Sequence, residues 1–269
     1  MPGLPQPVRV DSQALAVTLD DGVLTVRLAR PEARNALTEE MIVGLRQALE
    51  HAAADDHVQA VVLTGSGEAF CAGADIARFD SDPDPRRFRF ESHRLTELVG
   101  LVERIEKPVV AAVNGVAVGL GVQLALACDL RVGGGSARFA FTEGKLGLLP
   151  THGGVARLVK LVGLSRARDL LLGSATVDAQ RALELGLLTE VVPDDELAAA
   201  ARRLVERALL RAPQSYGLVK RLLLVAASTD LYSAMAAETI GQSLLIGTED
   251  HREGRRAASE RRPPEFTGR

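Results

Sequence analysis

Alternating apolar and polar positions near the start of the chain predict a β-hairpin. The alternation runs from Ala14 to Leu19 and from Val23 to Leu28, and Asp20-Asp21-Gly22 between the two runs is a tight-turn sequence. Thr38 is a good helix N-cap, and apolar residues then recur at helical spacing as far as Leu49. This part of the chain therefore predicts two paired strands followed by an amphipathic helix.

Short apolar runs and helical patterns alternate through the middle of the chain. Such alternation predicts an α/β fold in layers, with mostly parallel strand pairing. The predicted strands are Ala60 to Leu63, Val109 to Val113, Leu130 to Val132 and Arg138 to Phe141, and the predicted helices lie around Leu95 to Ile105 and from about Val122 onward.

One stretch in this region has no charged residue at all. It runs from Pro108 to Cys128, which is about the length needed to cross a bilayer. However, Pro108, Asn114, Gln123 and three glycines interrupt its apolar character. A buried strand, a tight glycine turn and a buried helix explain this composition better, so we expect no membrane segment here.

Only helical patterns follow Pro193. We therefore predict a core over residues 1–193 and a C-terminal helical region over residues 194–269. The apolar faces of this second region exceed what one layer needs, which suggests packing on the core or on another subunit. The run from Arg252 to Arg262 is rich in Arg and Glu, and we interpret it as a solvated helix face rather than a site for a ligand phosphate.

Composition removes several classes of function. With 32 Lys and Arg against 35 Asp and Glu, the net charge of −3 argues against nucleic-acid binding. Cys71 and Cys128 are expected to be buried free thiols, and the N-terminal residues lack a secretory or transit pattern, so a cytoplasmic location is expected. Scattered histidines make a metal site improbable, and the dinucleotide, P-loop and nucleophile-elbow fingerprints are not matched.

Two glycine-containing loops each follow a predicted buried strand. The first spans Thr64 to Ile76, and the second spans Asn114 to Gly121 and leads into a predicted helix. Free backbone N–H groups at a helix start, together with the helix dipole, favour negative charge. The loops therefore predict an anion or oxyanion site, and a plain packing role for the glycines is the alternative.

Several motifs occur in a fixed order across nearly the whole chain. They are Arg30 to Leu37 (RPEARNAL), Phe70 to Ile76 (FCAGADI), Lys107 to Gly115 (KPVVAAVNG), Leu146 to Pro150 with Gly153-Gly154, and Pro264-Glu265-Phe266. Together they resemble the enoyl-CoA hydratase/isomerase (crotonase) superfamily. The resemblance implies a spiral of repeated β-β-α units, a C-terminal helical region that forms a homotrimer or a dimer of trimers, an acyl-CoA thioester as ligand, and no metal or redox cofactor.

The resemblance also implies a set of site residues. The backbone N–H groups of Ala74 and Leu120 would form an oxyanion hole for the thioester oxygen. Other residues would surround the ligand: Ala72, Gly73, Asp75, Ile76 and Ala77 along the adenine and pantetheine arm, Gly119 in the second loop, Pro150 and Gly153 at the acyl pocket, Phe266 over the adenine, and Arg34 at a CoA phosphate.

Two positions bear on proton transfer. Hydratases that this chain resembles usually carry two glutamates; here Glu143 occupies the second position, and Gln123 occupies the first. Glutamine can hold a water molecule but cannot accept its proton. Glu143 is then the expected proton carrier, which favours an isomerase or a specialised member while leaving a hydratase open. A non-catalytic acyl-CoA-binding protein and a structural trimer without a ligand are the further alternatives.

Overall fold

The computed structural model describes residues 10–75, 84–173 and 176–269. The strands within these ranges are β1 (Leu15–Asp20), β2 (Val23–Leu28), β3 (Ala60–Gly65), β4 (Ala69–Cys71), β5 (Val109–Val113), β6 (Val116–Val118), β7 (Leu130–Gly134), β8 (Arg138–Ala140), β9 (Thr176–Asp178) and β10 (Glu190–Val192). The helices are α1 (Glu39–Ala54), α2 (Pro85–Arg104), α3 (Leu120–Ala127), α4 (Gly154–Val162), α5 (Leu164–Leu172), α6 (Ala179–Glu184), α7 (Leu197–Leu209), α8 (Pro213–Ala226), α9 (Leu231–Leu245) and α10 (Glu249–Glu260).

The strands form two sheets that the chain visits alternately. One sheet has the order β1-β2-β3-β5-β7-β10 and is parallel apart from the β1–β2 hairpin. The other has the order β4-β6-β8-β9, with β9 antiparallel to β8. In each of the pairs β3–β4, β5–β6 and β7–β8, the first strand joins the larger sheet and the second joins the smaller one. Because α2 and α3 follow the first two pairs, the predicted spiral of β-β-α units is confirmed.

The predicted hairpin and first helix are also confirmed. Leu15 pairs with Leu28, and the turn between the strands is closed by Asp21 and Gly22, both with positive φ. Thr38 caps α1, since its side chain accepts a hydrogen bond from the Met41 amide at 3.2 Å.

Several features depart from the predicted elements, since β9, β10 and α4 to α6 lie where no element is predicted. Helix α2 begins at Pro85, ten residues before the predicted start at Leu95, with Asp84 as its N-cap. The sequence does not predict these first turns because they are mostly exposed and lack an apolar stripe. Strands β4 and β6 were not predicted, since each has three residues and lies at a glycine-containing loop. Such short strands are held by their neighbours in the sheet rather than by a pattern of their own.

The buried core lies on both faces of the larger sheet. The larger cluster joins this sheet to the smaller one and to α1, α2 and α3. A second cluster packs Val62, Val110 and Val132 of the sheet against Leu204 and Val205 of α7. The first long helix after residue 193 therefore shares a core with the sheet that precedes it.

Two further expectations concern this core. Cys71 and Cys128 are buried and free, and burial raises the pKa of each thiol to about 12, so neither is a reactive thiolate. Helices with the length and apolar character required for a bilayer span are absent from the described ranges.

Candidate active site

A cavity of about 540 Å³ opens where the two glycine-containing loops meet α2 and the segment before α4. Both predicted oxyanion residues and both predicted proton-transfer residues line it. The lining residues are Ala72, Gly73, Ala74, Phe88, Glu91, Ser92, Leu95, Val118, Gly119, Leu120, Gln123, Thr142, Glu143, Leu146, Gly147, Leu148, Leu149, Thr151 and His152.

The first loop presents the Ala74 amide because a separate segment holds its backbone. The Leu37 amide donates to the Gly73 carbonyl at 2.8 Å, and the Asp75 amide donates to the Leu37 carbonyl at 3.0 Å. These two bonds make a parallel bridge that leaves the intervening Ala74 amide outside it. No acceptor for this amide occurs in the described part of the chain.

Two asparagines anchor the turn between β3 and β4, which is the first part of this loop. Asn35 is fully buried, with φ +57°, and its side-chain amide donates to the carbonyls of Ser66 and Ala69 at 2.9 and 2.7 Å. Asn114 donates to Ala69 at 3.1 Å and accepts from the Gly65 amide at 2.9 Å. Sequence reasoning missed the role of Asn35; the available signal was an asparagine, which tolerates this backbone conformation, inside a recognised motif.

The second loop places the Leu120 amide beside the first. Gly119 is the N-cap of α3 and adopts φ +50°, ψ −116°, a conformation that is accessible mainly to glycine. A Cβ built on Gly73 would lie 3.5 Å from the Leu120 nitrogen, so the two loops approach closely. The Leu120 amide, the first of its helix, likewise has no acceptor among the described residues. Two unbonded amides that lie close together, one of them at a helix start, favour a negatively charged or polarised oxygen.

The carboxylate of Glu143 lies next to this pair of amides. Glu143 begins a 3-10 turn after β8, and its Oε1 accepts a hydrogen bond from Gln123 Nε2 of α3 at 2.9 Å. A Cβ built on Gly119 would lie 3.4 Å from the same Oε1. Gln123 is only 2% exposed, and within the described chain its Oε1 and the Glu143 Oε2 are buried without a hydrogen-bond partner. The site therefore offers donors for an oxygen and one carboxylate for a proton.

Residues 18–269 match the family model for enoyl-CoA hydratase/isomerase. The chain belongs to this family. It is an enzyme of the enoyl-CoA hydratase/isomerase type, from the crotonase superfamily, and an acyl-CoA is its substrate.

Relatives of this enoyl-CoA hydratase/isomerase include both reaction types. It is 35% identical to the 2,3-dehydroadipyl-CoA hydratase of Escherichia coli over 95% of this chain and 99% of that protein. It is also 35% identical to the E. coli 1,2-epoxyphenylacetyl-CoA isomerase, over 93% and 97%. A crystal structure of an enoyl-CoA hydratase subunit from Geobacillus kaustophilus matches with a TM-score of 0.91 and 36% identity, over 96% of this chain and 100% of that chain.

Some of the remaining predicted residues of this enoyl-CoA hydratase/isomerase line the cavity, and others do not. Ala72, Gly73 and Gly119 line it, and Ile76 and Ala77 lie outside the described residues. The Asp75 carboxylate binds Arg30 at 2.5 Å and is not among the described lining residues. Pro150 and Gly153 are also not among the described lining residues, whereas their neighbours Leu149, Thr151 and His152 line the cavity.

Arg34 and Phe266, predicted at the CoA end, are not among the described residues that line this cavity. Arg34 is exposed at the surface. Phe266 packs on α10, where a Cβ built on Gly254 would lie 3.7 Å from its ring. Their roles toward CoA stay predictions.

The interpretation of Arg252 to Arg262 as a solvated face is wrong for Glu253, and the neighbouring Asp250 is buried as well. Asp250, just before this run, is 3% exposed and accepts from the Thr267 and Gly268 amides at 2.7 and 2.9 Å. Glu253 is 9% exposed and accepts from Arg262 and from the Glu265 amide. These bonds dock the chain end on α10, a long-range contact that charge density along the sequence does not reveal.

Side chains that commonly bind metal ions are not clustered in the described ranges. No group of three or more His, Cys, Asp or Glu residues there is arranged to hold an ion.

Proposed function

We propose that Glu143 is the single proton carrier of this enzyme and that the Ala74 and Leu120 amides hold the thioester oxygen. The observation that supports this most directly is the 2.9 Å bond from Gln123 to Glu143 in a cavity lined by both amide-bearing residues. In this proposal coenzyme A enters as part of the substrate, and no further cofactor is needed.

The two amides act on the charge that develops during proton transfer. Removing or adding a proton beside a thioester carbonyl places negative charge on its oxygen, and preorganised donors bind that enolate oxygen more strongly than the neutral carbonyl. The loss of one such donor costs about 3 kcal/mol in other enzymes. Backbone amides supply this effect without any side chain.

Isomerisation of a double bond fits one carboxylate directly. Glu143 would remove a proton from C2 of a 3-enoyl-CoA, the dienolate would form in the oxyanion hole, and the same proton would return to C4 to give the 2-enoyl-CoA. Gln123 donates to Oε1 and so holds the carboxylate, while Oε2 has no hydrogen-bond partner within the described chain.

Hydration is the second candidate, and the unpartnered Gln123 Oε1 favours it. This oxygen would accept one hydrogen of a water molecule while Glu143 accepts the other. The oxygen of that water would add to C3 of a 2-enoyl-CoA, and Glu143 would pass the proton to C2. The two E. coli relatives, one a hydratase and one an isomerase, support both candidates.

Matched 2-enoyl-CoA and 3-enoyl-CoA substrates, compared at each of several chain lengths, separate the candidates. Double-bond migration without water addition at any chain length would establish the isomerase and exclude the hydratase. Glu143→Gln should lower kcat for either reaction by about 100-fold or more, because it removes the acid–base group. Glu97→Gln, on the surface of α2, is the control. Unchanged turnover in Glu143→Gln would refute the proposal, and ligand-dependent stabilisation without any turnover would support a binding protein.

We also propose that the C-terminal helices bind further copies of this chain in a homotrimer, or in a dimer of trimers. Helices α8 and α9 pack on each other, yet many of their large apolar side chains are exposed. These are Val219, Leu223 and Leu224 on α8 and Leu231, Tyr232, Met235, Ile240 and Leu244 on α9. Exposed apolar area of this kind marks an interface, and light scattering of the purified chain would reveal a monomer if the proposal is wrong.

A further inference from the structure

The motif from Arg30 to Leu37 lies outside the cavity lining, and nothing in the proposed chemistry uses its side chains. It is nevertheless the segment against which the first oxyanion loop is built. The backbone carbonyl of Arg34 accepts a hydrogen bond from the Ala72 amide at 2.9 Å. The backbone of Leu37 is hydrogen-bonded to Gly73 and to Asp75, the residues on either side of Ala74. The motif therefore serves as a scaffold for the loop.

Arg30 connects this scaffold to the loop through its side chain. Its Nη1 donates to Asp75 Oδ2 at 2.5 Å and to the Ala36 carbonyl at 3.2 Å, and its backbone amide donates to Asn35 Oδ1 at 2.9 Å. The side chains of Arg30 and Asp75 are 28% and 19% exposed, so solvent screens this pair only in part. One guanidinium thus contacts both sides of the bridge that contains Ala74.

We propose that Arg30 is a positioning residue, which aims the Ala74 N–H at the thioester oxygen by holding Asp75 against the Arg30–Leu37 segment. This inference rests on the proposed oxyanion role of Ala74. It reassigns Asp75, which faces Arg30, from ligand binding to loop positioning. Asp75 directly follows Ala74, so a shift of its backbone moves the Ala74 Cα, to which the donor nitrogen is bonded.

The effect belongs to the transition state more than to substrate binding. An oxyanion donor is more valuable to the enolate than to the ground-state carbonyl, and displacement of a catalytic group by about 1 Å can cost about 100-fold in rate. Loss of the Arg30 contact should therefore lower kcat more than it raises KM.

The test uses Arg30→Met, Asp75→Asn and the double variant, assayed on whichever enoyl-CoA isomer the wild-type enzyme turns over. Each single variant should lower kcat by about 10- to 100-fold with KM within about threefold, because only the aim of the donor changes. The double variant should lose no more than the worse single one, since both remove the same contact. Arg30→Lys, which restores one donor to Asp75, should recover part of kcat.

Controls separate this role from a loss of folding and from a failure of the proposed function. Arg46→Met removes a surface pair with Glu50 on α1 and should leave kcat unchanged. Multiplying losses in the double variant, or kcat within twofold of wild type in both single variants, would overturn the inference. Asp75→Asn keeps Arg30 and the side-chain shape, and so remains informative if Arg30→Met unfolds. Activity retained in Glu143→Gln would instead refute the proposed function, whatever the Arg30 variants do.

Discussion

The loops around the cavity and the C-terminal helices are held by different kinds of contact. Neutral groups position most of the loop backbone: the asparagines Asn35 and Asn114, and glycines such as Gly119. Ion pairs and buried carboxylates hold the C-terminal helices, as Lys220 binds Asp129 and Glu253 binds Arg262. The partly exposed Arg30–Asp75 pair is a charged contact among the otherwise neutral groups that position the loops.

The difference follows from what each region must tolerate. A carboxylate without a cation beside the oxyanion hole would repel the negative charge that forms there, and this repulsion is strong where water is excluded. The Asp75 carboxylate, which follows Ala74, is paired with Arg30. Amide side chains and glycine geometry fix the backbone without adding charge. The C-terminal helices have no such restriction, so carboxylates can cap them and secure the chain end. We therefore expect charge removal to act mainly on the stability of the C-terminal region, and geometry changes in the loops to act mainly on rate.

The largest effect should come from Lys220→Met on α8. The Lys220 ammonium is buried and donates to Asp129 at 2.9 Å and to the carbonyls of Val102 and Lys107 at 2.9 and 3.2 Å. Burial raises the pKa of Asp129, and Lys220 acts in the opposite direction. Removal of the lysine leaves the Asp129 carboxylate, whose side chain is only 16% exposed, without its cation. We therefore expect a loss of about 3–5 kcal/mol in the free energy of unfolding, measured in urea at fixed protein concentration.

The adjacent Arg221 provides a matched control. It is exposed and pairs with Glu106 at 2.9 Å, so Arg221→Met should cost less than about 1 kcal/mol. Adding Asp129→Asn to Lys220→Met should restore part of the stability, because the buried charge is removed. Equal losses of stability in Lys220→Met and Arg221→Met would contradict this prediction, since burial would then have no influence on the strength of an ion pair.

An intermediate effect is expected from Gly119→Ala, and it should appear in rate. Alanine disfavours φ +50°, so the backbone that carries the Leu120 donor must shift, and its methyl group would contact the Glu143 Oε1 at 3.4 Å. We expect kcat to fall by about 100-fold, with about 1–3 kcal/mol of backbone strain. Gly135→Ala is the control, since a Cβ there meets nothing within 4 Å. A stability loss with kcat intact would show that the loop is a packing element only.

The sequence predicts the layered fold well because its long elements carry a complete pattern. The β1–β2 hairpin has a turn sequence at its centre, and α1 has both a cap and an apolar stripe. β4 and β6 have three residues each and acquire their pairing from neighbours that are distant in sequence. The same limit applies to α2, whose first turns pack too little to show a stripe.

The residues of the candidate site also differ in how far the sequence predicts them. Motif order pointed to Ala74, Leu120, Gln123 and Glu143, and the structure brings all four to one cavity. The side chains that hold them were not predicted, because Asn35 and Arg30 act on carbonyls and a carboxylate about 30 to 45 residues away. No local periodicity records such contacts; they depend on which loops the fold brings together.

The smallest effect should be the response of the docked chain end to acid. Hydrogen bonds from Arg262, and then from the Glu265 amide, lower the pKa of Glu253 to about 2 from an ordinary value of 4.5. A depressed carboxyl pKa adds stability that is complete above the unfolded value and is lost as pH falls through the folded one. The stability difference between wild type and Glu253→Gln should therefore be constant above about pH 5 and shrink toward pH 2, in urea titrations. Glu50→Gln, in the exposed pair with Arg46, should show no comparable change. A difference that stays flat into acid would mean that shape, and not charge, holds the chain end, and the contrast with the neutral loops would then disappear.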